Sequence, residues 1–284
     1  MRIRGLISVG LLSCCLLVAF AANGAAQVLR NDHIIKTPAR GVIVPKATNL
    51  TNHGGPVIVS AKVVFIFWGP SFANAASPDH AYATTMQAFR NNYGTTGEYN
   101  VITQYSGSNG TIALTSLGSG TADLFDTSTP PTKVTDSIVQ SKVNSYLSSH
   151  GGNNTSTIYE VVIPSTSYSD DGAGDDSCGG PNLQYCAYHS WIGSGTSATK
   201  YSIQPYPSCG GCQVAGWTAV QNQEHFLSHE TREAVTDPTG STWYDSSGAE
   251  ADDKCAWSPT PFHDGSYSYQ YEWSNASRAC VKTR

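Results

Sequence analysis

A histidine and two glutamates stand at helical spacing in the C-terminal third of the chain. His229, Glu230 and Glu233 read His-Glu-x-x-Glu. Residues four apart on a helix point the same way, so His229 and Glu233 can share one metal ion. Zinc accepts imidazole nitrogen and carboxylate oxygen, and its catalytic sites use three protein ligands and a water. The pattern predicts zinc ligands at His229 and Glu233, with Glu230 as the general base.

A third ligand must come from outside this segment. Glu250 is the first candidate downstream, and Asp253 is its substitute. His225 lies four residues before His229 and stays open as a replacement for Glu233. The sequence has Glu where the HExxH motif has His, and the added negative charge makes the metal a poorer Lewis acid. The competing interpretation is a polar helix face that contacts only solvent.

These residues require a helix to position them, and residues 217–237 predict one. Thr218 and Gln221 form a capping box, and Pro238 marks the end. An apolar stripe is expected to face the core, and the polar residues lie on the opposite side. The stripe consists of Val220, Leu227 and Ala234, and the opposite side of His225, His229 and Glu233.

The rest of the chain alternates predicted helices and strands, which indicates an α/β or α+β class, a single domain with a mixed sheet covered by helices. Apolar runs between turn residues predict strands at 63–68, 99–105, 111–117, 157–163, 188–192 and 201–204. Further helices are predicted at 79–93, with Asp79 as N-cap, and from Thr135 or Asp136 onward. His189, in the fifth strand, is a candidate for the lining of the same cleft as the predicted zinc ligands, but a structural hydrogen bond is the favoured interpretation.

The N-terminus has the pattern of an export signal. Arg2 and Arg4 precede an apolar run over residues 6–20, and Ala19-Phe20-Ala21 offers a cleavage site. Such a run is short for a membrane span. We expect a signal peptide at 1–21, an extended arm or pro-segment at 22–52 and a folded domain at 53–284, in a secreted, extracellular protein.

The cysteines agree with export. The chain has 8, of which Cys14 and Cys15 fall in the signal segment. The other six predict three disulfides that staple the C-terminal half. Proximity favours Cys178–Cys186, Cys209–Cys212 and Cys255–Cys280 among the connectivities that six cysteines allow.

Charge is sparse and acidic. Charged residues make up 13% of the chain, against about 25% in typical soluble domains, and the formal net charge is −5. This excludes a basic nucleic-acid footprint, and no cluster of Lys or Arg predicts a membrane-surface patch. Without a Gly-x-Ser-x-Gly elbow, a serine hydrolase has little support. We expect a monomer.

Two patterns carry a family resemblance. His53-Gly54-Gly55-Pro56, followed by a strand that ends in Phe67-Trp68-Gly69, resembles the opening of the plant EXORDIUM/phosphate-induced protein family. The resemblance continues in patches through residues 157–164, 186–189, 209–212 and 250–255. Plant members are extracellular or cell-wall proteins without an established enzymatic activity. The resemblance thus implies one alternative, a non-catalytic extracellular or wall-associated binding protein with polysaccharide as its partner.

The second pattern is similar to secreted microbial proteins that have a His-Glu-x-x-Glu-Ala-x-Thr-Asp-Pro helix followed by Glu-x-x-Asp-x-Cys. This chain has the first pattern at 229–238 and the second at 250–255. Those proteins resemble zincin-type metallopeptidases. The resemblance implies that residues 53–284 form a zincin-like domain and that the chain is a zinc-dependent hydrolase acting on peptide or protein substrates.

Overall fold

The computed structural model describes residues 34–37 and 48–284. The predicted signal segment and most of the predicted arm lie outside the described residues. The expectation of a mixed α/β chain with a mixed sheet and covering helices is confirmed. The largest sheet has six strands, in the order β1-β10-β11-β8-β3-β6. These strands are β1 (Ile34–Lys36), β3 (Lys62–Trp68), β6 (Leu124–Asp126), β8 (Thr157–Ile163), β10 (Tyr185–Ile192) and β11 (Thr199–Pro205).

Strands β3, β6, β8 and β11 run parallel, whereas β10 is antiparallel to β11 and β1 is antiparallel to β10. Four of the strands predicted from apolar runs are therefore confirmed. Pro164 follows β8 directly, in keeping with the inability of proline to donate to the ladder.

Five α-helices are described: α1 (Pro70–Ala73), α2 (Pro78–Tyr93), α3 (Gly97–Asn100), α4 (Asp136–Ser149) and α5 (Ala219–Thr236). The prediction of Asp79 as N-cap of α2 is wrong. The N-cap is Ser77, whose hydroxyl accepts from the backbone amide of Asp79 at 3.2 Å. Pro78 follows in the first helical turn, a position that proline favours, so the helix begins before Asp79. The capping box of α5 is confirmed. Within the described part of the chain, no helix is long and apolar enough to cross a membrane.

Short two-stranded pairs connect the larger elements. They are β2 (Thr51–Asn52) with β12 (Trp243–Tyr244), β4 (Ser106–Gly107) with β5 (Gly110–Thr111), β7 (Lys133–Thr135) with β9 (Tyr168–Asp170), β13 (Phe262–Asp264) with β14 (Tyr267–Tyr269), and β15 (Glu272–Ser274) with β16 (Ala279–Val281).

Two predicted strands are wrong. Residues 99–104 belong to α3 and to the 3₁₀ turn Val101–Gln104, Tyr105 lies in neither a helix nor a strand, and of residues 111–117 only Thr111 lies in a strand. The hydroxyl of Thr96 accepts from the Tyr99 amide at 3.3 Å and so starts a helical turn. A short apolar run fits a buried helical turn as well as a strand, which explains the error.

Helices cover both faces of the sheet. Helix α4 packs on one side, called the α4 face, where the core includes Ile66, Val139, Val161 and Ile203. Helices α2 and α5 pack on the other side, called the α5 face, whose core includes Phe65, Phe89, Leu227 and Val235.

Three disulfides staple the C-terminal half, as expected, but two predicted pairings are wrong. The bonds join Cys178 to Cys209, Cys186 to Cys212 and Cys255 to Cys280. The 3₁₀ turn Gly210–Cys212, which Cys209 precedes, lies against β10. Cys212 reaches Cys186 on β10, and Cys209 reaches Cys178 in the segment before that strand, with Cα separations of 5.5 and 5.6 Å. Proximity in sequence was a poor guide because the turn packs against another element.

Candidate metal centre

Helix α5 is buried on all sides over residues 222–236. The interpretation of its polar side as a solvated face is therefore wrong. Leu227 and Ala234 pack into the core of the α5 face as predicted. The polar side chains contact β10, β11 and the segment from 250 to 272, as the hydrogen bonds below show. A helix that buries its polar side needs partners for those groups.

Three predicted ligand candidates converge on one point. Nε2 of His229 lies 3.0 Å from Oε2 of Glu233 and 3.9 Å from Oδ1 of Asp253. The backbone amide of Asp253 donates to Oε1 of Glu233 at 3.0 Å, which turns Oε2 toward the histidine. Asp253 begins a 3₁₀ turn that ends at the disulfide-bonded Cys255. Helix α5 and this turn thus position the donors.

A second histidine lies beside them. Nδ1 of His189, on β10, lies 3.0 Å from Oε2 of Glu230 and 3.7 Å from Oε2 of Glu233. Its Nε2 lies 3.6 Å from Oε2 of Glu250. His189 does fill a hydrogen bond, as expected, but its partner is the predicted general base. We call these six residues the His–carboxylate cluster: His189, His229, Glu230, Glu233, Glu250 and Asp253.

Gln270 fixes the orientation of the His229 ring. The amide nitrogen of Gln270 donates to the backbone oxygen and Oδ1 of Asp252, at 3.0 and 2.8 Å. Its Oε1 therefore faces the helix, where it accepts from Nδ1 of His229 at 3.1 Å and from Nε2 of His225 at 2.8 Å. Since Nδ1 of His229 carries the proton, Nε2 keeps its lone pair for a metal. Nε2 of His225 is occupied by Gln270, and His225 belongs to none of the donor groups found in the described residues, which argues against it as a substitute ligand.

An ion-pair network lies behind Gln270. Arg232 contacts Asp252 through one guanidinium nitrogen, and its Nε lies 2.6 Å from Oε2 of Glu272. Burial alone would lower the pKa of Arg232, but Asp252 and Glu272 raise it above its usual range. All three side chains are buried, so their charges are held in one arrangement. This network anchors the amide that orients His229.

The His–carboxylate cluster concentrates negative charge where water is excluded. Burial, and then the neighbouring Glu233 and Glu160, raise the pKa of Glu230 well above its usual range. Burial lowers the pKa of His229, although Asp252 and Asp253 oppose that shift, so the ring is neutral as a metal ligand must be. Arg232 on the same helix pairs with other carboxylates, and Lys254, next to Asp253 in sequence, contacts Asp245 at 2.8 Å.

The donor set suits a small divalent cation. In a tetrahedral zinc site with bonds near 2.0–2.2 Å, ligand atoms lie about 3.4 Å apart. The separations of 3.0 and 3.9 Å around Nε2 of His229 bracket that value. Two donor groups in the described residues share Glu233: His229 with Asp253, and His189 with Glu230. A third group, formed by Cys178, Cys209 and Cys212, consists of disulfide-bonded sulfurs, which are not metal donors.

The sequence places His229, Glu230 and Glu233 together but misses Gln270, which stands in a Tyr-rich segment with no ligand spacing. On sequence grounds His189 is a candidate for the lining of the same cleft, although a structural hydrogen bond is the favoured interpretation. The predicted third ligand Glu250 lies beside His189, whereas its substitute Asp253 lies beside His229. Comparison with family models, with curated proteins and with solved structures found no match.

Proposed function

We propose that this chain is a secreted, zinc-dependent hydrolase with a zincin-like architecture, related to the microbial branch of the EXORDIUM-like proteins, and that it cleaves peptide bonds. The observation that carries the proposal is the convergence of His229, Glu233 and Asp253 on one buried point, next to Glu230. A mixed sheet whose antiparallel strand β10 brings His189 beside helix α5 supports the same assignment.

The ligands in this proposal are Nε2 of His229, Oε2 of Glu233 and Oδ1 of Asp253, with Glu250 as the alternative to Asp253. A bound zinc ion would polarise a carbonyl group and lower the pKa of a coordinated water toward 7. Asp253 is the most exposed member of the His–carboxylate cluster, at 8%, whereas the others are at most 1% exposed. Water and substrate would therefore approach from the side of Asp253.

Glu230 is the proton carrier in this proposal. Its Oε1 is buried without a hydrogen-bond partner, while Oε2 is held by Nδ1 of His189 at 3.0 Å. A carboxylate in this position takes a proton from the attacking water and delivers it to the leaving amine. His189 would position this carboxylate.

Metal analysis of the purified chain tests the first half of the proposal. We expect about one equivalent of zinc, and loss of that zinc in His229→Ala. His150→Ala is the matched control, because that ring stacks on Tyr146 outside the cluster and should leave the zinc in place. A wild-type chain without zinc, or a zinc content that survives His229→Ala, would contradict the site and favour the non-catalytic binding protein.

Hydrolysis of a labelled casein tests the second half. Glu230→Gln should retain zinc and lose activity by about 10²–10⁴-fold, the range for a positioned general base. Casein hydrolysis that persists in the zinc-loaded Glu230→Gln variant would remove Glu230 from its role. A zinc-loaded wild-type chain that leaves both casein and a mixture of short peptides intact would argue against a peptidase.

A further inference from the structure

His189 belongs to the second of the two donor groups in the His–carboxylate cluster. This group consists of His189, Glu230 and Glu233, and it shares only Glu233 with the proposed zinc site. Nδ1 of His189 lies 3.0 Å from Oε2 of Glu230 and 3.7 Å from Oε2 of Glu233. These separations bracket the value of about 3.4 Å between the ligand atoms of a tetrahedral zinc site, as those around His229 do. The second group therefore has the spacing of a metal site of its own.

The carboxyl group of Glu230 independently points to a ligand at this position. The residue is fully buried, its Oε2 contacts His189, and its Oε1 has no hydrogen-bond partner among the described residues. Burial of a carboxylate oxygen without a partner costs free energy, and each such atom in a folded protein needs an explanation. A cation bound at Oε2 would bring a positive charge to both oxygens of this carboxylate.

The other ring nitrogen of His189 faces a carboxylate that suits a metal-bound histidine. Nε2 lies 3.6 Å from Oε2 of Glu250. In a neutral imidazole one nitrogen carries the proton and the other offers a lone pair. When Nε2 carries the proton, it is directed toward Glu250, and Nδ1 is left as a metal donor. Ligating histidines commonly orient their second nitrogen toward a carboxylate in this way. Glu250 thereby has a place in the cluster as the orienting partner of His189.

We propose that His189, Glu230 and Glu233 bind a second zinc ion, which inhibits the hydrolase by withdrawing Glu230 from proton transfer. The inhibition rests on the proposed function, whereas the binding of the ion does not. The carboxylate of Glu230 cannot be a metal ligand and accept the proton of the attacking water at the same time. Glu233 would bridge the two ions, which in two-metal sites lie about 3.5–4 Å apart.

The two histidines differ in how far they are prepared for a metal. Gln270 accepts the Nδ1 proton of His229, so Nε2 of that ring presents its lone pair. Nδ1 of His189 instead contacts Oε2 of Glu230, and this hydrogen bond must break before the ring can bind an ion. Repulsion between the two ions across Glu233 weakens the second further. We therefore expect the chain to be active at low zinc concentration and inhibited at higher concentration.

Zinc titration of the full chain, with the free concentration set by a chelator buffer, tests the proposal. Equilibrium dialysis should find about one equivalent of bound zinc at low concentration and about two at higher concentration. Casein hydrolysis in the same buffers should fall to half at the concentration that half-fills the second site. One equivalent at every concentration would overturn the second site and leave the zinc-dependent hydrolase intact.

Two further outcomes separate binding from inhibition. Two equivalents with casein hydrolysis unchanged would overturn the inhibitory role. Two equivalents without hydrolysis at any zinc concentration would support the second site while contradicting the hydrolase, so the two failures are distinguishable.

Two variants locate the second ion. The amide of asparagine can donate to Oε2 of Glu230 as Nδ1 of His189 does, but it is a weak zinc ligand. His189→Asn should therefore keep the first equivalent and lose the second. Glu230→Gln should do the same, a loss of metal that a role as general base alone does not predict. His263→Ala is the matched control, because that histidine is exposed on β13 and should keep both equivalents. A second equivalent that survives in both variants, or is lost in the control, lies elsewhere and would contradict the assignment.

Discussion

The two faces of the six-stranded sheet use alternate residues of the same strands but differ in chemistry. On the α4 face, Val161 of β8 and Ile203 of β11 pack in an apolar core. On the α5 face, the neighbouring residues Glu160, Ser202 and Gln204 are equally buried and polar. Alternation of apolar and polar residues usually places the polar ones in water. Here the polar side is covered by a second layer, helix α5.

The polar residues of the α5 face form one hydrogen-bonded network. Ser202 donates to Glu160, and Gln204 donates to the same carboxylate at 2.9 Å. Thr231 of α5 donates to its other oxygen at 3.2 Å, and Gln223 donates to Gln204 at 2.5 Å. A buried network is stable only when its members are paired. Glu160 also contributes to the raised pKa of Glu230, so this network borders the proposed site.

The largest expected effect lies on the apolar face. Ile203→Ala removes a fully buried side chain from the α4 face and should lower the free energy of unfolding by about 4 kcal/mol. Because the α4 face supplies no ligand, the zinc content of the folded variant should be unchanged. Urea unfolding and metal analysis measure the two quantities. Loss of zinc from the folded variant would show that the two faces are not independent.

The polar face should instead show a dependence on pH. Burial raises the pKa of Glu160 to about 7, against an ordinary 4.5, although hydrogen bonds from Ser202, Gln204 and Thr231 oppose the shift. The folded state holds this proton more tightly than the unfolded state. Its contribution to stability is therefore present in full below about pH 4.5 and is lost as pH rises to about 7, a change of about 3 kcal/mol.

Glu160→Gln removes that titration, so the unfolding free energy should fall less between pH 5 and pH 8 than in the wild type. Urea unfolding at the two pH values gives the slope. Burial also raises the pKa of Glu224 to about 7, but that residue titrates in both proteins, and the difference between them isolates Glu160. Identical slopes would mean that Glu160 is ionised in the folded protein throughout.

Local features of the α5 face could be predicted from the sequence. The capping box at Thr218 and the proline at 238 delimit helix α5, and the spacing of His229 and Glu233 requires only a helix. These predictions depend only on residues that are neighbours in sequence, whose relative positions the geometry of a helix determines. The number of disulfides could also be predicted, because it follows from the number of cysteines.

The partners of these residues and the pairing of the cysteines depend on contacts between elements distant in sequence, which the hydrophobic periodicity does not encode. His189 reaches Glu230 only because β10 lies beside α5, and Gln270 reaches His229 across 41 residues. The disulfide partners of Cys209 and Cys212 lie 31 and 26 residues away. The sequence could not decide between a buried and a solvated polar side of α5, because a helix with one polar side fits solvent equally well.

The side chain of Gln270 links the polar α5 face to the affinity of the proposed site for zinc. Gln270→Ala removes the acceptor that fixes the His229 ring, and loss of such a partner costs about 10–100-fold in metal affinity. Gln140→Ala is the matched control, since that amide contacts Asp136 on the α4 face at 2.6 Å. Competition with a zinc chelator measures both variants. Equal affinities in the two would show that Gln270 does not orient a ligand.

The smallest expected effect compares one tyrosine hydroxyl on each face. The hydroxyl of Tyr82 donates to Oε1 of Gln223 at 2.6 Å, and that of Tyr146 donates to the backbone oxygen of Ala122 at 2.6 Å. Gln223 is fully buried, so Tyr82→Phe leaves its oxygen without a donor and should cost about 1–2 kcal/mol. Ala122 is exposed and water can replace the lost donor, so Tyr146→Phe should cost about 0.5 kcal/mol or less. Urea unfolding of the two variants measures the difference, and equal losses would mean that water reaches the polar network beneath α5.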